Sequence, residues 1–306
     1  MKESHETEIL NLIAYFDVFN YPLSFEELSK FVSISPDHLR KYIADLCEIG
    51  IISNNEDFIG TENLKVKIEN RLVGNKKAAA LKDKAAKNAN LISTFPFVRG
   101  VLISGSFSKG FVSDDGDIDY FIITKPGRLW IARTFLILYK KLFLFNSHEY
   151  FCVNYFVDED HLEIEEKNIF TATELVTLLP MVNKTLHQKL VQNNAWIKAY
   201  YPSLFHENNT ISEPKRSTLQ RFGEGIMKGK FGNKVDNYFM KLTLKRWQKK
   251  FGFLSNEDFE VAMKTTTNVS KHHPNNFQKK VLERHQEIFE KLIETYEENT
   301  NVKAAV

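Results

Sequence analysis

The stretch that most limits what this chain can fold into lies between residues 101 and 124, VLISGSFSKGFVSDDGDIDYFIIT. A short apolar run ends at Gly105-Ser106. Ten residues later Asp117-Ile118-Asp119 opens a second run, Tyr120-Phe121-Ile122-Ile123. Runs of this kind, bounded by Gly, Ser and Asp, read as two strands joined by a turn and a short helix. Carboxylates one residue apart on a strand project from one face, so Asp117 and Asp119 can together hold one or two divalent cations. The Gly-Ser turn supplies the complementary half: glycine lets backbone approach an anion, and the N–H groups of such a turn point at phosphate oxygens. The combination predicts metal-dependent chemistry on a nucleoside triphosphate.

Two rival phosphate motifs fail on spacing. Gly105 and Gly110 have the glycine separation of a Walker A loop, but Phe111-Val112 follow where lysine and hydroxyl are needed. No GxGxxG is present.

Apolar strand, Gly-Ser, short helix and Asp-x-Asp on the next strand together resemble the signature of the DNA polymerase β-like nucleotidyltransferase superfamily. The resemblance covers about residues 98 to 165. It implies that Gly105 and Ser106, with Ser108 and Lys109 beside them, bind the triphosphate, and that Asp117 and Asp119 are catalytic and bind Mg²⁺, with Mn²⁺ as the alternative ion. Family members carry a third carboxylate on a later strand. Here that strand is expected at residues 149 to 157, and its one internal polar residue is Asn154. Asn154 is therefore the candidate third metal ligand, or else a buried amide satisfied by backbone; it cannot take a proton from an attacking hydroxyl. Asp158, Asp160, Glu163 and Glu165 follow as substitutes if the strand curls. Two functions stay open. One is an enzyme that transfers a nucleoside monophosphate from an NTP to a hydroxyl of a small molecule, protein or RNA, releasing pyrophosphate. The other is a nucleotide-binding regulator without turnover that docks a partner or DNA.

Charge is balanced overall, +2 at neutral pH, but not along the chain. Residues 1–60 hold four Lys/Arg against eleven Asp/Glu. The same residues read as a winged-helix-like domain over 1–62: a first helix through Ile9, Leu10 and Ile13, a second capped by Ser24 with Glu27 three residues on, a third opening at Ser35-Pro36, and two wing strands around Asn54-Asn55. So acidic a surface repels duplex DNA, which argues for a protein partner. Residues 63–94 predict a basic connecting helix, 95–170 the nucleotidyltransferase core with strands near 149–157 and 161–165, and 171–306 a helical C-terminal domain, giving an α+β protein with a small mixed sheet. Between Lys215 and Lys250 eleven basic residues face only Glu224 and Asp236, with Phe222, Phe231, Tyr238, Phe239, Trp247 and Phe251 interleaved. Such a stretch can form a surface that faces RNA or a triphosphate; the simpler expectation is that these rings pack inward while the lysines are solvated.

Cys47 and Cys152 are distant in sequence and no CxxC occurs, which argues against a disulfide framework or zinc site and for a reducing cytoplasm. MKESHETEIL lacks a signal-peptide core. The most apolar segment, residues 129–145, is broken by Arg133, Lys140 and Lys141, so no membrane association is expected. His272-His273 and His285 lack acidic or thiol partners at ligand spacing.

Overall fold

A computed structural model describes residues 4–145, 150–204 and 218–305. In chain order its elements are α1 (His5–Asp17), β1 (Leu23–Ser24), α2 (Phe25–Phe31), α3 (Pro36–Glu48), β2 (Ser53–Asn55), β3 (Phe58–Gly60), α4 (Leu64–Ser93), β4 (Val98–Ser104), α5 (Gly105–Ser108), β5 (Asp119–Thr124), α6 (Leu129–Phe143), β6 (Cys152–Asp158), α7 (Ile169–Val176), β7 (Leu179–Val182), α8 (Lys184–Asn193), α9 (Thr218–Ile226), α10 (Gly229–Lys250), α11 (Asn256–Ala262), β8 (Val269–Lys271) and α12 (Phe277–Ala305), with two short 3-10 turns between α8 and α9. Contacts divide the chain into two compact units. Met1–Gly74, Trp196–His206 and Gln278–Val306 form one; Asn75–Ala195 and Glu207–Phe277 form the other. No helix among the described residues is long and apolar enough to cross a membrane.

In the first unit, Ile9, Ile13, Leu28, Leu39, Ile43 and Leu46 from α1 to α3 are buried together. Ser24 and Glu27 form the reciprocal capping box that their spacing predicts. β2 and β3 pair antiparallel around Glu56-Asp57, and Leu23–Ser24 adds a third strand on the other edge of β3, so the sheet order is β1-β3-β2. Two residues are too few to give a strand pattern, which is why β1 was not foreseen. The first turns of α4 belong here: Arg71 pairs with Glu27 at 2.7 Å and lies over the rings of Tyr21 and Phe58. So does α12, through His285 near the Asn11 carbonyl and Asn299 donating to the Ile49 carbonyl.

The second unit is built on a five-stranded mixed sheet in the order β7-β4-β5-β6-β8. β5 and β6 are parallel, joined by the crossover through α6, and the other pairings are antiparallel. The later part of α4 closes one side of the core through buried Ala78, Ala85, Ala89 and Ile92, with Val101, Ile103, Tyr120, Ile122, Trp130 and Phe156 in the same cluster. Two of its lysines have partners while staying accessible to solvent: Lys77 pairs with Asp114, and Lys84 lies over the Tyr150 ring.

Three expectations need correction. Residue 170 does not bound a sheet domain, because β7 and β8 come from the segment read as wholly helical, and α12 belongs to the other unit. Both strands are short, and Pro180 hides the first. Residues 161–165 form no strand. Leu162 and Ile164 are buried between exposed His161, Glu163 and Glu165, an alternation that imitates a strand. The backbone there is held by the buried Asn194 side chain, which accepts from Ile164 N–H at 2.8 Å and donates to the Leu162 carbonyl at 2.7 Å. Finally, the rings of the basic stretch do not all turn inward. Trp247 and Phe251 are buried, but Phe222, Phe231 and Tyr238 are 69%, 59% and 62% exposed. Part of the 149–157 strand expectation, at Glu149, lies outside the described residues, as does Lys215 at the start of the basic stretch.

Candidate functional site

At the start of β5 the sheet brings several titratable groups to one place. Ser104, the last residue of β4, pairs with Asp119, the first of β5, and Asp119 pairs with Cys152, the first of β6. Asp117 lies in the loop just before β5, with buried Ile118 between the two carboxylates. Ligand atoms of Asp117, Asp119 and Cys152 all lie within 4.8 Å of one another. These three residues could hold a metal ion.

Gly105 turns the chain at the end of β4 with φ +68°, a left-handed conformation that favours glycine. A Cβ there would stand 2.6 Å from Asp119 Oδ2, so the turn and the carboxylate can sit this close only because residue 105 has no side chain. Ser108 Oγ donates to the Gly105 carbonyl at 2.8 Å, and Lys109 Nζ donates to the same oxygen at 3.0 Å. Ser106 is exposed, and its carbonyl accepts from the N–H groups of Lys109 and Phe111.

Asn154 reaches the site through a β-bulge. Tyr120 pairs with Val153 and Phe121 with Tyr155, which leaves Asn154 as the extra residue. Its amide nitrogen donates to Asp119 Oδ1 at 3.0 Å and to Cys152 Sγ at 2.9 Å. Asn154 thus meets Asp119 as a hydrogen-bond donor, and the structure puts this residue beside the acidic pair. Asp158 is elsewhere. It pairs with Thr124 at the far end of β6, about 20 Å along the strand from Cys152 at the usual rise, and its carboxylate bonds His161 Nδ1 at 2.7 Å. Glu163 pairs with Lys167 and Glu165 with Lys264.

The sequence reading missed three groups. Glu174 on α7 accepts from the Gly105 N–H at 3.0 Å and from Lys109 Nζ at 2.8 Å. A carboxylate 65 residues beyond Lys109 in a helix of ordinary composition carries no local signal. Cys152 reads as an inert core thiol, and only the parallel pairing of β5 and β6 sets it next to Asp119. Lys140 on α6 is buried, which lowers its pKa, while Asp117 pulls it back up.

Electrostatically the site holds concentrated negative charge. The Asp119 carboxyl is pushed up to about 7, first by burial and then by the carboxylates of Asp117 and Glu174; hydrogen bonds with Cys152 and Asn154 pull the other way. Burial, followed by the two aspartates, pushes the Cys152 thiol well above the ordinary thiol range and keeps it protonated. His272 and His273 form no ligand set among the described residues. The His272 ring instead stands 5.0 Å from Trp247 and 5.7 Å from Phe251.

No protein-family model matches the chain, and neither a curated protein nor a solved structure does.

Proposed function

We propose that this chain is a divalent-metal-dependent nucleotidyltransferase of the DNA polymerase β-like kind, moving a nucleoside monophosphate from an NTP to a hydroxyl of a small-molecule, protein or RNA acceptor. The observation that carries the reading is the placement of two anion donors, the Gly105 N–H and the Lys109 ammonium, next to the Asp117/Asp119 pair on adjoining strand ends. The donor set fits Mg²⁺ or Mn²⁺: carboxylate oxygens suit a hard ion, and the protonated thiol of Cys152 does not. When bound, such an ion neutralises charge on the phosphoryl group in transfer.

The chain's own residues bind and orient. Gly105 and Lys109 hold triphosphate oxygens, Ser108 fixes the turn, and the Asn154 amide keeps Asp119 from rotating. An O–P bond forms between the acceptor oxygen and the α-phosphorus as the bond to the β-phosphate bridge breaks. Pyrophosphate leaves, and the hydroxyl proton passes to water. The three helices and hairpin of the first unit are winged-helix-like in order, and their acidity suits a protein partner better than a duplex.

A nucleotide-binding regulator without turnover is the second reading. It is favoured by the position of Glu174 on the anion donors and by an amide at the place on β6 where a carboxylate is expected. Pyrophosphate release with each NTP and Mg²⁺ separates the two. Release that Asp117→Asn abolishes supports transfer. NTP binding without release, together with a protein captured through residues 1–60, supports the regulator.

A further inference from the structure

We propose that the outward face of α9 and α10 binds single-stranded nucleic acid, a property that does not depend on nucleotidyl transfer. The basic stretch has sorted its charges. Both of its acids are buried and engaged inside the second unit: Glu224 accepts from Arg99 at 2.8 and 3.0 Å and from the Phe97 N–H, and Asp236 accepts from the Ile131 N–H. The cations go outward. Lys228, Lys230, Lys234, Lys241, Lys245 and Lys249 are all exposed, and among the described residues no carboxylate pairs with them. The result is an uncompensated positive surface complementary to a polyanion.

Three rings that the core did not take up are exposed on the same two helices. Phe222 lies on α9; Phe231 and Tyr238 lie on α10, seven residues apart, so they share a face and are separated by about 10 Å along the axis. Leu242, Lys245 and Lys249 continue the same stripe, and Lys234 and Lys241 flank it. Rings set among cations match what an unpaired strand offers, base faces to stack and phosphates to neutralise. A duplex keeps its base faces covered, so the rings would have no counterpart there. A lipid surface calls for apolar and cationic faces to be separated, whereas here Lys245 and Lys249 lie in the apolar stripe itself.

The test uses the full chain without NTP and an end-labelled single-stranded RNA of about 16 nucleotides, followed by fluorescence anisotropy across a salt series. Binding is expected at about 50 mM salt and should weaken steeply as salt rises. Phe231→Ala/Tyr238→Ala should weaken it by at least about 10-fold, and Tyr238→Phe should retain it. Lys234→Gln/Lys241→Gln should flatten the log K against log salt slope by about 1.4. These side chains are exposed, so thermal melting should be unchanged and a fold defect would be visible. The proposal is overturned by absence of binding at low salt, by equal binding of a duplex of the same sequence, by ring variants that bind like the natural chain, or by recruitment to phosphatidylserine vesicles without RNA binding.

Discussion

Replacing Gly105 with alanine should cost more than its backbone conformation explains, and the excess should come from Asp119. An L-residue in the left-handed region costs about 1–2 kcal/mol. Gly110 supplies the control in the same unit: its φ is +74°, and the nearest atom to a Cβ there is Asn75 Nδ2 at 3.8 Å, so Gly110→Ala should show that cost alone. At Gly105 the added carbon meets Asp119 Oδ2 at 2.6 Å. Turning the Asp119 carboxylate aside loosens its bond from the Asn154 amide, a charge-assisted bond worth about 1.5–3 kcal/mol. Gly105→Ala is therefore expected to destabilise by about 2.5–5 kcal/mol against about 1–2 kcal/mol for Gly110→Ala, as read by denaturant unfolding. Triphosphate binding, measured by calorimetry, should be lost in the first variant and kept in the second. Destabilisation equal within about 0.5 kcal/mol, with binding unaffected in both, would refute the claim that the turn is fitted to the carboxylate.

Three further outcomes are expected. Glu174→Gln removes a carboxylate from the donors that a phosphate would use, so NTP affinity should rise about 10-fold; unchanged affinity would mean that phosphate does not bind there. Glu224→Ala leaves Arg99 buried without its partner and should cost about 3–5 kcal/mol in urea unfolding, while Glu163→Ala, on an exposed pair, should cost under about 1 kcal/mol. Burial lowers His272 to about 3 and His273 to about 4, from 6.5. Both are neutral when folded, so their stabilisation is complete above 6.5 and drains away as pH falls from 6.5 toward 4, when the unfolded chain takes up protons. Halved for partial solvent exposure, the pair should cost about 2 kcal/mol between pH 7 and 5, and His272→Asn/His273→Asn should flatten that part of the stability profile.

What could be read from the sequence was local. Ser24 with Glu27, Pro36 at the start of α3 and the proline-free run of α4 announce their helices through caps and propensity, and all three begin where expected. Gly105, Asp117 and Asp119 declare themselves because turn, acid and strand lie within one short stretch. Non-local pairing left no such mark. β7 and β8 are strands only because β4 and β6 offer edges to them, and Leu162 to Ile164 fails to be a strand because Asn194 takes its hydrogen bonds first. Glu174 and Cys152 join the site through α7 and a parallel pairing, neither of which is visible before the sheet order is known. The exposed rings of α9 and α10 defeat a pattern argument for another reason: amphipathic spacing tells which residues share a face, not whether anything covers it.

The most direct test of the central claim is incubation with each α-labelled NTP and Mg²⁺ in host lysate, comparing the natural chain with Asp117→Asn/Asp119→Asn. The account predicts label transferred to a discrete acceptor by the natural chain alone. Label absent with all four nucleotides, from a protein that binds NTP, would contradict transfer and leave the nucleotide-binding regulator as the reading of this site.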